Sequence, residues 1–302
     1  MATADNAGTE IHYEVTGEGT PVVLLHGFPD SGRLWRHQVP ALTGAGYRVI
    51  VPDMRGYGRS ARPVEVDAYN ILHLVSDVGA VLADAGVPRA HVVGHDWGAA
   101  AAWVLASVAP ATVNRLVALS IGHPAMFRGR PGQLDLDQLE KAWFMLLFQF
   151  PGVAEEWLSA NQWTNFRSLF RHPDEDDVIA DLEANSSLTP GLNYFRAIVN
   201  PESFVGPPPS LPPVQAPTLG VWSSGDFALT EAQMTRSAEH VAGPWRYERL
   251  EGPGHWMQLE APDRVNALLL DFLTLEAPGP GSQGGPAAGR SAASAIPTAI
   301  SE

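Results

Sequence analysis

Through the first half of the chain, short apolar runs alternate with longer stretches of helical period. Val22–Leu25, Val49–Val51, Val92–Val93 and Leu116–Leu119 are continuous apolar runs, the signature of strands buried on both faces. Ile71, Leu72, Leu74, Val75, Val78, Val81 and Leu82 recur at helical spacing, and Gly86 ends that helix. Ala99–Val108 predicts a second helix. Strand and helix in alternation predict an α/β class fold, a mostly parallel sheet with helices on both faces.

The alternation stops at Pro124. From there to about Pro213 the pattern is helical and rich in Trp and Phe, with helices expected over Leu139–Phe148, Val153–Trp163, Val178–Asn185 and Leu192–Ile198. Prolines at 207–209 and 212–213 close the segment. It then resumes with a strand at Thr218–Trp222, a helix at Glu231–His240, a strand at Trp245–Leu250 and a final helix at Pro262–Leu275. The expected organisation is a core formed by residues 1–123 and 214–276, a helical cap inserted at 124–213, and a disordered tail at 277–302, which is mostly Gly, Pro, Ser and Ala.

Composition narrows the chemistry. A formal net charge of -14 argues against nucleic acid and anionic membrane surfaces as partners. The absence of cysteine excludes disulfides, thiol catalysis and cysteine-based zinc sites. The N-terminal ten residues are polar and do not read as a signal peptide, and no apolar stretch is long enough to span a bilayer, so a cytoplasmic protein is expected. No metal or organic cofactor is expected, because the ten histidines are scattered and no phosphate-binding glycine loop is present. The expected partner is a small apolar organic substrate, taken by a monomer or a homodimer.

The segment from His91 to Gly98 follows a predicted strand and opens a helix. At its centre is Gly94-x-Asp96-x-Gly98, the nucleophile-elbow pattern with Asp in the place of Ser. Small flanking residues permit a tight strand-to-helix turn that exposes the central side chain at the carboxyl end of the sheet. Leu25-His26-Gly27-Phe28-Pro29 follows an earlier strand, and the backbone N–H groups of Phe28 and Trp97 are candidates for an oxyanion hole. Gly225-Asp226 follows another strand and Gly254-His255 the last one. Nucleophile, acid and histidine thus occur in the chain order of α/β-hydrolases.

On these residues the chain resembles the epoxide hydrolase and haloalkane dehalogenase branch of the α/β-hydrolases. The matching motifs are His26-Gly-Phe-Pro29, Asp53-Met-Arg-Gly-Tyr-Gly-Arg-Ser60, Gly94-His-Asp-Trp-Gly98, His123-Pro124, Phe148-Gln-Phe-Pro-Gly-Val-Ala-Glu155 and Gly254-His255. His123-Pro124 and the motif ending at Glu155 lean toward the epoxide hydrolases. Asp53, Arg55 and His95 are read as structural. The resemblance implies a hydrolase that attacks an sp3 carbon with Asp96, forms an alkyl ester, and hydrolyses it with water activated by His255, itself oriented by Asp226. Aspartate needs no base for the first step, since a carboxyl with a reference pKa of about 3.9 is ionised at pH 7.

Epoxide hydrolases use two cap tyrosines as donors to the ring oxygen, and here those positions align with Phe144 and Phe195, which donate nothing. Tyr194 lies one residue early, so it substitutes only if its helix rotates. Trp143 and His123 complete the expected substrate-binding set. Two alternatives stay open: a haloalkane dehalogenase whose halide is held by Trp97 and a cap tryptophan (Trp143, Trp157 or Trp163), and a non-hydrolytic biosynthetic enzyme or small-molecule receptor on the same fold.

Overall fold

The computed structural model describes residues 1–127, 135–201 and 210–274. Eight strands form one sheet in the order β1-β2-β4-β3-β5-β6-β7-β8. β3 (Thr20–Leu25), β4 (Tyr47–Pro52), β5 (Ala90–His95), β6 (Val113–Leu119), β7 (Thr218–Ser223) and β8 (Trp245–Leu250) pair in parallel. Each apolar run of the sequence lies within one of them. β5 is buried at every position, which is why it shows no in–out alternation.

Two further strands lie outside the expected set. β1 (Ala2–Asn6) and β2 (Thr9–Thr16) form an antiparallel hairpin, and β2 pairs antiparallel with β4. Their turn is Ala7-Gly8, both at positive φ (51° and 88°), the geometry that matches strand twist in a two-residue hairpin. At this sheet edge only alternate residues such as Ala4, Ile11 and Tyr13 enter the core, so the polar N-terminal segment carries strand structure that its composition hides.

α1 (Gln38–Gly44), α2 (Ile71–Asp84) and α3 (Trp97–Val108) flank the sheet with the helix Pro262–Thr274. Between β6 and β7 lie α4 (Leu136–Lys141), α5 (Phe144–Leu147), α6 (Val153–Phe170), α7 (Glu175–Ala184) and α8 (Leu188–Ile198), the inserted helices. The helix expected over 139–148 is broken in two at Ala142-Trp143. α6 runs past the expected end at Trp163, but Asn161, Gln162 and Trp163 leave helical geometry at φ 50°, 58° and 64°. That local turn lets Trp163 Nε1 donate to Glu183 at 2.7 Å. The tail expected to be disordered lies outside the described residues, as do the prolines at 207–209. No helix among the described residues is long and apolar enough to cross a membrane.

Polar ties fasten the inserted helices to the loops at the carboxyl end of the sheet. On α4, Gln138 Nε2 donates to Ala228 O at 2.7 Å and Lys141 Nζ to Asp226 O at 2.6 Å. On α8, Tyr194 Oη donates to Arg55 O at 2.7 Å. Arg55 is in turn fixed by a buried two-pronged pair with Asp77 on α2, 2.6 Å at both oxygens. Asp77→Ala leaves that guanidinium buried without its counter-charge, and is expected to cost about 3–5 kcal/mol in chemical denaturation. Arg246→Ala, which removes partly exposed pairs with Glu248 and Asp271, is expected to cost less than about 1 kcal/mol. Equal costs for the two variants would show that Arg55–Asp77 does not hold this loop.

Candidate active site

β5 ends at His95 and α3 begins at Trp97, leaving Asp96 alone at the corner with φ 52° and ψ -126°. Such a conformation costs a residue with a side chain about 1–3 kcal/mol and persists only where its surroundings enforce it. The enforcement is close backbone packing. A Cβ on Gly98 would lie 2.1 Å from Leu25 O, one on Gly94 would lie 2.4 Å from Gly98 O, and one on Gly27 would lie 2.2 Å from Asp96 Oδ1. β3, β5 and α3 therefore meet where no side chain fits, and the Asp96 carboxylate is lifted over the sheet.

The two oxygens of Asp96 have different partners. Oδ1 accepts the Phe28 N–H at 2.8 Å. Oδ2 faces His255 Nε2 at 3.6 Å. On the other side of the imidazole, Nδ1 lies 3.0 Å from Asp226 Oδ2. Asp226 is fixed in turn, since its Oδ1 accepts the N–H groups of Ala228 and Leu229 at 2.9 and 3.0 Å. The Ser120 hydroxyl donates to Asp226 Oδ2 at 2.6 Å and sits 3.0 Å from His255 Nδ1. Behind the histidine, His95 Nε2 lies 2.9 Å from His255 O, and a carbonyl acceptor places the His95 proton on Nε2.

This arrangement is electrically lopsided. Burial alone lowers the His255 pKa, but Asp226 and then Asp96 outweigh it and raise it to about 10. Burial works the other way on Asp226, yet the His255 charge and the donors around the carboxylate hold its pKa below the ordinary value. His95 is kept neutral: burial, aided by the neighbouring His255 charge, lowers its pKa to about 4.

The other expected site residues divide into two groups. Phe28, Phe144, Phe195 and Trp97 form one aromatic cluster, joined to Asp96 through the Phe28 N–H and through Trp97, the next residue. The Phe195 ring meets those of Trp97 and Phe28 edge-on at 5.1 and 5.4 Å and lies 6.4 Å from Phe144. Three residues are placed otherwise. Tyr194 is fully buried with its hydroxyl engaged by Arg55 O, so its helix has not rotated to offer a donor. Trp143 is 49% exposed and packs on Trp157, because α4 and α5 break just before it and turn it outward. His123 stacks on His240 at 4.2 Å and on the edge of Trp103, its Nδ1 accepting the Ala125 N–H; it caps a turn below the inserted helices. With Trp163 bonded to Glu183, neither Trp143 nor Trp163 supplies the cap donor of the dehalogenase alternative.

Sequence pattern did not reveal several supporting residues. Ser120 follows β6 at φ 71°, and nothing in its neighbourhood marks it out. Asp30 accepts the Trp256 Nε1–H at 2.9 Å and faces His172 Nε2 at 3.3 Å, linking the loop of Phe28, the residue after His255 and the inserted helices. Gln138 and Lys141 look like ordinary helix-surface residues until α4 is placed over the Asp226 loop. No group of three metal-binding side chains occurs among the described residues.

Comparison with known proteins agrees with this geometry. Residues 20–262 match the family model described as alpha/beta hydrolase fold. The chain is 33% identical to Epoxide hydrolase A of Mycobacterium tuberculosis, over 89% of this chain and 96% of that protein. It is 32% identical to an AB hydrolase superfamily protein of Bacillus subtilis, over 88% and 95%. Among solved structures, Epoxide Hydrolase A from Mycobacterium thermoresistibile superposes with a TM-score of 0.72 at 30% identity, covering 90% of this chain and 97% of that one. An epoxide hydrolase from Bacillus megaterium superposes with a TM-score of 0.81 at 26% identity, covering 90% and 99%.

Removing the Asp96 charge takes away one of the two carboxylates that hold a proton on His255. In Asp96→Ala, NMR titration of the His255 ring is expected to give a pKa clearly below the value of about 10 in the parent. An unchanged pKa would mean that Asp96 and His255 are not electrostatically coupled.

Proposed function

The chain belongs to the α/β-hydrolase fold family, in its epoxide hydrolase branch, and from that premise we propose that it hydrolyses a small apolar epoxide through a covalent ester on Asp96. The observation that carries the reading is the division of labour between the Asp96 oxygens. Oδ1 is held by the Phe28 N–H, which leaves Oδ2 free to attack beside His255. Attack of Oδ2 on an sp3 carbon breaks the carbon–oxygen bond of the ring and leaves Oδ1 as the ester carbonyl oxygen, already in the oxyanion position.

Ester formation then arms the base. The free enzyme holds His255 as an imidazolium between two carboxylates. Esterification removes the Asp96 charge, so the imidazolium loses one of its two counter-charges and gives up its proton, which balances the proton gained by the opened ring oxygen. Neutral His255, oriented by Asp226 and Ser120, takes a proton from water. The hydroxide attacks the Asp96 carbonyl carbon, the charge developing on Oδ1 is met by the Phe28 and Trp97 N–H groups, and collapse releases the diol. The aromatic wall of Phe28, Phe144 and Phe195 suits an apolar substrate and excludes bulk water. One observation favours a halide as leaving group instead: Trp97 Nε1 is buried without a partner.

Intact-mass measurement of His255→Ala after exposure to epoxides and alkyl halides tests this reading. The variant is expected to stall as the ester, with a mass gain of a whole epoxide mapped to Asp96. A gain of an alkyl group without its halogen would favour dehalogenation, and a folded variant with no adduct of either kind would overturn the Asp96 ester. In Asp96→Ala, turnover is expected to fall by at least on the order of 10⁴-fold with the fold retained.

A further inference from the structure

Ring opening needs a proton donor for the leaving oxygen, and the two cap positions that resemblance assigns to tyrosine are Phe144 and Phe195. The chain has six tyrosines, all within the described residues. Tyr13, Tyr69, Tyr194 and Tyr247 spend their hydroxyls on Asp84, Pro63 O, Arg55 O and Glu231. Tyr47 begins β4 and packs on His91 at the start of β5, the end of the sheet opposite Asp96. The sixth, Tyr57, is 2% exposed, and its hydroxyl has no hydrogen-bond partner among the described residues. Leaving a buried donor unmatched costs about 1–3 kcal/mol, so its retention calls for a reason.

We propose that Tyr57 is a catalytic residue, the donor that protonates the leaving oxygen in place of the two absent cap tyrosines; this rests on the Asp96 ester reading. Its ring packs edge-on against His26, 5.2 Å away, in the loop that also supplies the Phe28 N–H to Asp96. Its hydroxyl reaches α8 at Gly191. A Cβ on Gly191 would lie 2.6 Å from Tyr57 Oη and 2.9 Å from the Phe28 ring. Gly191 is one helical turn before Phe195, on the same face of α8. A core phenol therefore occupies space that the bare Gly191 leaves open, beside the position where a cap tyrosine would stand. In-line attack by Asp96 sends the leaving oxygen away from the nucleophile, toward the inserted helices that include α8. Burial, with Asp96 among the charges adding to it, raises the Tyr57 pKa well above its usual value, so the phenol is protonated in the free enzyme and yields its proton only to a base as strong as the departing alkoxide. Trp97 Nε1 is also unpartnered, but an indole can hold a hydrogen bond without surrendering its proton.

The proton count closes. As Asp96 Oδ2 bonds to carbon and the carbon–oxygen bond breaks, the departing alkoxide takes the Tyr57 proton. The phenolate is reprotonated through solvent by the proton that His255 sheds when the Asp96 charge disappears. Neutral His255 then removes a proton from water, hydrolysis restores the Asp96 carboxylate, and the imidazolium is regenerated.

The test is the rate at which styrene oxide adds to Asp96, followed by intact mass in His255→Ala and in Tyr57→Phe/His255→Ala. The second protein is expected to form adduct on the order of a hundredfold more slowly. Its rate should rise as pH falls, because solvent must now supply the proton. Its unfolding midpoint should be unchanged or higher, since only an unpartnered hydroxyl is lost. Gly191→Ala, whose Cβ crowds that hydroxyl, should slow adduct formation in the same background. Equal rates with and without the Tyr57 hydroxyl, or slowing with no new pH dependence, would overturn the proposal. If His255→Ala itself forms no adduct, the Asp96 ester falls and the role of Tyr57 falls with it.

Discussion

The contact between β3, β5 and α3 at the carboxyl end of the sheet governs the rest of the site. Gly98 rests on the carbonyl of Leu25, and Gly94 on that of Gly98, so the chain turns from strand to helix within one residue. That residue, Asp96, is left at a φ that a side chain normally avoids. The strain is sustained by β5, which is buried throughout, and by the buried end of β3. Because Gly27 carries no side chain, the His26–Phe28 loop comes close enough for its N–H to hold the carboxylate. A methyl group at any of these glycines would separate the nucleophile from its donor before altering any catalytic side chain.

Charge is organised around the same point. His255 lies between a rigidly bonded acid, Asp226, and Asp96, the proposed nucleophile. Only Asp96 loses its charge when it reacts, so the difference between the two carboxylates gives the proposed cycle its direction: the imidazole is cationic while Asp96 is free and basic once Asp96 is esterified. Ser120, the Ala228 and Leu229 amides, and Lys141 on the Asp226 carbonyl keep the supporting acid in place while this happens.

The central sheet and the candidate trio of Asp96, Asp226 and His255 were legible in the sequence because both are marked locally. Most of the parallel strands are short apolar runs, and each site residue follows a strand with a glycine one or two residues away. What escaped is what depends on packing between distant segments. β1 and β2 are edge strands with only alternate residues buried, so their composition reads as a polar terminus. Ser120 acts through a backbone position at the end of β6 that no side-chain pattern encodes. Tyr194 shows the limit from the other side: its number relative to Phe195 raised the possibility of a substitute donor, but only the Arg55 carbonyl, brought near by the buried pair with Asp77, decides where its hydroxyl goes.

An apolar insertion over a charged core has a chemical consequence. With phenylalanine at 144 and 195, α5 and α8 turn aromatic rings without donors toward Phe28 and Trp97. The low dielectric they create strengthens the attraction between His255 and its carboxylates, but it also makes a developing alkoxide more costly unless a donor stands close. The Phe28 N–H that holds Asp96 belongs to the core, as do the two buried donors left without a partner, Trp97 Nε1 and Tyr57 Oη. Loss of polar groups from the insertion thus shifts the burden of charge stabilisation onto the sheet side of the pocket, where strand-end geometry holds it rigidly. In the proposed cycle, sequence change in the inserted helices alters substrate fit without disturbing the proton path, provided that residue 191 stays a glycine.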